Sequence, residues 1–133
     1  MRVTGPVLDA ADVGELTAFY QRFLGWEVEE LEGPRSGHPP GDGWSRLRPR
    51  DRSTKIEIQF EANYERPVWP QQRGDQGMQM HLDIWVDDVA AGVEWAIECG
   101  AVEAPVQPHG RDRTRLRVML DPGRVGQQRE LNS

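Results

Sequence analysis

The chain has 133 residues, with 22 acidic against 16 basic side chains and a net charge of -6 at pH 7. That length suits one domain burying roughly two-thirds of the surface its unfolded form exposes, and the acidity argues against a nucleic-acid binder, which needs a positive face to release counterions. An apolar share of 37% beside 29% charged residues argues against disorder throughout, while ten prolines and fourteen glycines imply many loops.

The start, "MRVTGPVLDAADV", has no continuous apolar run after its one basic residue. No signal peptide or membrane span is expected, and a cytoplasmic location follows. Val7 to Ala10 reads as a first strand. Asp12 then caps a helix in which Val13, Leu16, Phe19, Tyr20, Phe23 and Leu24 recur at helical spacing; Glu15 completes a capping box and Gly25 stops the helix in a left-handed cap. Strands follow at Glu27 to Leu31, Trp44 to Arg48 and Lys55 to Phe60. The first two are joined by "GPRSGHPPGDG", which reads more simply as a mobile surface loop with His38 exposed than as a lid.

The prolines and glycines of "EANYERPVWPQQRGDQG" cannot sit in a central strand, so a crossover belongs there, with Trp69 to anchor it. Beyond it the pattern repeats. "HLDIWVDDVAAGVEWAIECGAVE" aligns with "VLDAADVGELTAFYQRFLGWEV": a strand from Met80 to Val86, a helix capped by Asp88 with Val89, Val93, Ala96 and Ile97 as its apolar stripe, and a stop at Gly100. Later strands are expected at Val102 to Ala104, Arg115 to Leu120 and Val125 to Leu131. The single cysteine, Cys99, rules out an internal disulfide framework and reads as packing. The expected fold class is therefore α+β, with two βαβββ modules at about 1–66 and 78–133 inside one domain.

Alternation along the strands separates two faces. Leu8, Leu47, Ile56, Ile58, Phe60, Leu82, Ile84, Val86, Leu116, Val118 and Leu120 belong against the helices. The other face collects Val7, Asp9, Trp44, Arg46, Arg48, Glu57, Gln59, Glu61, His81, Asp83, Trp85, Arg115, Arg117 and Met119. A plain solvated face with cross-strand ion pairs is the simplest account. Two tryptophans in its rows, and the curl of twisted sheets, favour a concave cup that binds something.

The words "VLDAADVGELTAFYQRFLGWEV", "HLDIWVDDVAAGVEWAIECGA" and "VMLDP" resemble the vicinal oxygen chelate superfamily of glyoxalase I, bleomycin-resistance proteins and extradiol dioxygenases, nearest to its small bacterial glyoxalase-like domain proteins. The resemblance implies curved mixed sheets around a central cup with helices outside, a frequent homodimer, and any divalent metal held inside the cup. In the metal enzymes of that superfamily, ligands come from a first-strand histidine, a fourth-strand carboxylate or glutamine, a histidine opening the fifth strand and a glutamate in the eighth. Here those places hold Gly5, Glu57 or Gln59, His81, and Gln127 or Gln128 with Glu130 just beyond. Only Glu57 and His81 are good donors, so no cofactor is expected, and a metal, if any, rests on those two. His38 and His109 lie in loops.

Three functions are consistent with this sequence. The first is uptake of a small aromatic or anionic molecule, with Trp44 and Trp85 as walls, Arg46 and Arg117 pairing acidic groups, and Gln59 and Met119 beside them, as in a sequestering or resistance protein. The second is metal-independent isomerisation, cyclisation or epimerisation by Glu57, His81 and Asp83. The third is a metal-dependent lyase or dioxygenase. Neither a nucleic acid nor a membrane is an expected partner.

Overall fold

The structure, a computed structural model, describes residues 1–68, 70–77, 80–103, 115–119 and 128–131, the last two segments by their backbone. The elements run β1 (Val7–Ala10), α1 (Val13–Leu24), β2 (Glu27–Glu32), β3 (Trp44–Arg48), β4 (Ile56–Phe60), β5 (His81–Trp85), α2 (Val89–Glu98), β6 (Val102–Glu103), β7 (Arg115–Met119) and β8 (Gln128–Leu131). The expected order of strand, helix and three strands, taken twice, is present. The chain divides into two compact units, the first spanning Met1–Tyr64 and the second beginning at Glu65. Trp69, the expected anchor of the crossover, lies outside the described residues, as do Leu120, Gln127 and His109.

Local signals placed the helices. The Asp12 carboxylate accepts the backbone N–H of Glu15 at 3.0 Å, and Gly25 closes α1 in the left-handed conformation at φ 66°. Asp88 caps α2 by accepting from the backbone N–H of Ala91 at 3.1 Å. At its other end, Gly100 N–H donates to the Ile97 carbonyl at 2.9 Å and Ala101 N–H to that of Ala96 at 2.8 Å. Those two bonds, with Gly100 at φ 110°, make a Schellman cap.

In the first unit the sheet order is β1-β4-β3-β2; β1 runs parallel to β4 and the other neighbours are antiparallel. α1 packs on β3 and β4. Val13, Leu16, Phe19, Tyr20 and Phe23 of the helix are buried, as are Leu8, Ala10, Leu47, Ile56 and Ile58 of the sheet; Leu8, Leu47, Ile56 and Ile58 are on the apolar face that alternation assigns to the helix. Two polar residues share this core. Thr17 Oγ1 bonds back to the Val13 carbonyl at 2.6 Å and lies 2.7 Å from Ser45 Oγ. Each hydroxyl therefore has a partner, and neither is left to pay a desolvation cost.

The second unit keeps the element order but not the strand order: its sheet runs β5-β7-β8-β6. Its first strand pairs antiparallel with its third, where β1 in the first unit pairs parallel with the fourth. Both sheets are mixed, since β6 and β8 are parallel.

Some boundaries and burials differ from expectation. β4 begins at Ile56 and not Lys55, and its pairing with β1 starts at Glu57; β5 is confined to His81–Trp85, leaving out Met80 and Val86. Phe60, Leu82, Ile84 and Val86 are half-buried where full burial was expected. In α2, Val93 and Ala96 are buried, as is Cys99 at its C-cap. Ile97 lies about 100° around the helix from Ala96 and is exposed, so it falls off the expected stripe.

Candidate functional site

The polar face of the first sheet is assembled by register. Trp44 lies opposite Gln59 and Arg46 opposite Glu57 across β3 and β4, while Glu30 lies opposite Arg46 across β2 and β3. The Arg46 guanidinium sits 5.0 Å from the Trp44 ring centroid, a cation–π contact. Its Nε donates to Glu57 Oε1 at 3.0 Å and its Nη1 is 3.9 Å from Glu30 Oε2. Lys55 Nζ donates to the same oxygen of Glu57. Gln59 Nε2 donates to Asp9 Oδ1 at 2.7 Å. Further along, Glu29 takes Arg48 at 2.6 Å and Arg52 at 3.1 Å.

These contacts change what two expected site residues offer. The hydrogen bond from Lys55, and after it that from Arg46, holds the Glu57 carboxyl below the usual carboxylate range. Glu57 is thus a fixed anion between two cations, and a weak proton donor near neutral pH. Arg46 has internal carboxylates as partners, so a ligand anion would compete with Glu57 and Glu30 for it.

The second face belongs to β5. His81, Asp83 and Trp85 alternate along it, opposite Met119, Arg117 and Arg115 of β7 in the backbone register. His81 is half-buried and its Nε2 lies 3.6 Å from Asp83 Oδ1. Trp85 is 70% exposed. The side chains of Arg117 and Met119 lie outside the described residues. Of the three residues expected to move protons, the structure brings His81 and Asp83 together on one strand; Glu57 belongs to the first unit.

The donors that the resemblance points to do not fit a metal. Glu57 is held by two cations, and the first-strand place is Gly5, without a side chain. No group of three or more His, Cys, Asp or Glu side chains suited to a metal occurs among the described residues, where a firm site needs three or four protein ligands. Gln128 and Glu130 are placed in β8 by backbone only.

Sequence reading missed Asp42, Lys55 and Glu30. The 33–43 loop is pinned, contrary to the expectation of a loose one. The buried Asp42 carboxylate accepts from Arg35 N at 2.9 Å, Nε at 2.9 Å and Nη2 at 2.8 Å, and the Gly41 carbonyl accepts from Val13 N at 3.0 Å. His38 is exposed as expected, with Nδ1 4.0 Å from Asp42 Oδ2. The one available sequence signal was an aspartate within prolines and glycines.

The Arg35 side-chain and backbone bonds hold the Asp42 carboxyl well below the ordinary range. A depressed folded-state pKa contributes stability that is present above the unfolded value of about 3.9 and is lost as pH falls through the folded value. Asp42→Asn is therefore expected to be less stable than the parent at neutral pH. The gap should close as pH drops from about 5 toward 2, which urea midpoints measured across that range would show. A gap independent of pH would mean that the carboxylate charge is not what pins the loop.

A module of strand, helix and three strands, used twice with helices against one sheet face and polar and aromatic groups on the other, defines an α+β protein of the glyoxalase-like type. The chain belongs to the glyoxalase-like domain family, whose model matches residues 6–125. It is similar in fold to a glyoxalase family protein from Enterococcus faecalis, at 17% identity and a TM-score of 0.58, covering 98% of this chain and 97% of that one. A possible glyoxalase from Bacillus cereus matches at 16% identity and a TM-score of 0.51, covering 98% of each. No curated protein matches the sequence. Among the described residues, no helix is long and apolar enough to cross a membrane.

Proposed function

We propose that this glyoxalase-like domain binds a small organic molecule with an aromatic ring, using the β5 face as one wall of the site. The observation that carries the reading is Trp85, a large aromatic 70% exposed on the same strand face as His81 and Asp83. Aromatic side chains in such positions supply stacking area at small conformational cost. Arg117 and Met119 stand opposite Asp83 and His81 in the backbone register. Within the first sheet, Trp44 with Arg46 stacked on it forms a flat surface of its own, with the Gln59 amide beside it. A sequestering or resistance role, homodimeric assembly, a cytoplasmic location and action without a cofactor belong to the same proposal.

Titration of the protein with a panel of planar aromatic and anionic metabolites, followed by tryptophan fluorescence, tests it. For a compound that binds, Trp85→Ala is expected to weaken affinity at least about tenfold. Its unfolding free energy from urea denaturation should stay within roughly 0.5 kcal/mol of the parent, since the side chain is outside the core. Unchanged affinity in the variant would remove Trp85 from the site.

A second reading has its own observation, the 3.6 Å approach of His81 Nε2 to Asp83 Oδ1. It sets an imidazole and a carboxylate side by side on one strand face at ion-pair distance, the two group types that acid–base isomerisation, cyclisation or epimerisation uses. His81→Ala separates the two readings. Loss of turnover with binding retained indicates catalysis, and loss of binding alone indicates a receptor.

A further inference from the structure

The first two ligand places that the resemblance marks out, Gly5 and Glu57, are joined by one residue that has no counterpart in a metal site. Lys55 runs beside Gly5. A Cβ on residue 5 would lie 2.0 Å from the Lys55 carbonyl oxygen and 3.1 Å from Lys55 Cγ. The lysine stem thus covers the space above a bare glycine, and the backbone is fastened there by Glu57 N–H donating to the Pro6 carbonyl at 3.1 Å. The far end of the same side chain reaches Glu57 Oε1. Both partners are largely shielded, with side-chain exposures of 14% for Lys55 and 13% for Glu57.

We propose that Lys55 is a built-in cation that occupies the place of a metal ion at Glu57, closing this position to divalent cations. Arg46 Nε shares the carboxylate oxygen at 3.0 Å, so two positive charges already face Glu57. A divalent ion would have to displace an ammonium tethered two residues away, whose effective concentration at the carboxylate is high. It would gain a single carboxylate for doing so, because position 5 offers no donor. Lys55 is a positioning residue here: it fixes the charge and orientation of Glu57 and touches no substrate. The inference is independent of what the β5 face binds.

The test uses the full chain at neutral pH with Mn²⁺ as the probe, and the unfolding equilibria of the parent, Lys55→Met, Glu57→Gln and the double variant. In the parent, Mn²⁺ is expected to leave the backbone amide signals of Glu57 and its strand neighbours unbroadened. Lys55→Met and Glu57→Gln should be coupled by about threefold or more in the unfolding equilibrium constant, the double variant being hardly worse than either single one. Selective Mn²⁺ broadening centred on Glu57 in the parent would overturn the proposal. So would strictly additive effects of the two substitutions. The Mn²⁺ experiment needs only the parent protein and stands even where a variant fails to fold.

Discussion

Gly5→Ala is expected to cost roughly 3 kcal/mol or more of folding stability, because two effects add at one position. Gly5 sits at φ 143°, a backbone region that side chains with a Cβ rarely enter. The added methyl would also lie 2.0 Å from the Lys55 carbonyl oxygen, inside any van der Waals separation. That neighbour is backbone, fastened next to the bond from Glu57 N–H to the Pro6 carbonyl, so it cannot swing aside as a side-chain tip would. Gly5→His should be no better tolerated, and it should not create a metal site. Urea denaturation measures the first effect, and Ni²⁺ titration of whatever folded Gly5→His protein is recovered measures the second. Near-parent stability for Gly5→Ala would mean that the strand opening at β1 is looser than described.

Leu47→Ala is the second large effect, at about 3 kcal/mol within a range of 2–5. Leu47 lies between Arg46 and Arg48 on β3, has no exposed surface and points toward the α1 face. Truncation removes its transfer free energy and leaves a cavity between β3 and α1 that a packed helix and sheet fill only in part. The contrast with Trp85→Ala is the useful part. One substitution should lower the urea midpoint, with ligand affinity unchanged wherever the protein remains folded. The other should leave the midpoint and reduce affinity. A Leu47→Ala protein of parental stability would place that side chain outside the core.

What was legible in the sequence was local. Asp12 and Gly25, and Asp88 with Gly100, mark helix ends because capping involves groups three to five residues apart. Alternation in "WSRLR" and "IEIQF" separates Leu47, Ile56 and Ile58 from Arg46 and Glu57 because a strand has a period of two. Ser45 was also on the buried side by that period, but its polar type hid it. Only the distant Thr17 makes it a satisfied core residue. Register fixes other pairings the same way: nothing near Glu30 announces that it faces Arg46 across β2 and β3. The order β5-β7-β8-β6 was hidden for the same reason, since a repeat in element order does not specify which strands pair. Lys55 was within reach, two positions before Glu57 and therefore on its side of the chain. Reading it outside the polar row concealed the cation at the candidate ligand.

The central claim is that the β5 face receives an aromatic ligand, and indole N–H signals in ¹H–¹⁵N spectra test it most directly, since Trp26, Trp44, Trp69, Trp85 and Trp95 report from separate positions. During titration with a compound that quenches fluorescence, the Trp85 indole and the backbone amides of His81 to Trp85 are expected to shift together, while Trp95 on α2 stays in place. A Trp85 signal that stays fixed while Trp26 or Trp95 moves, or no movement at all across a chemically diverse panel, would contradict the account.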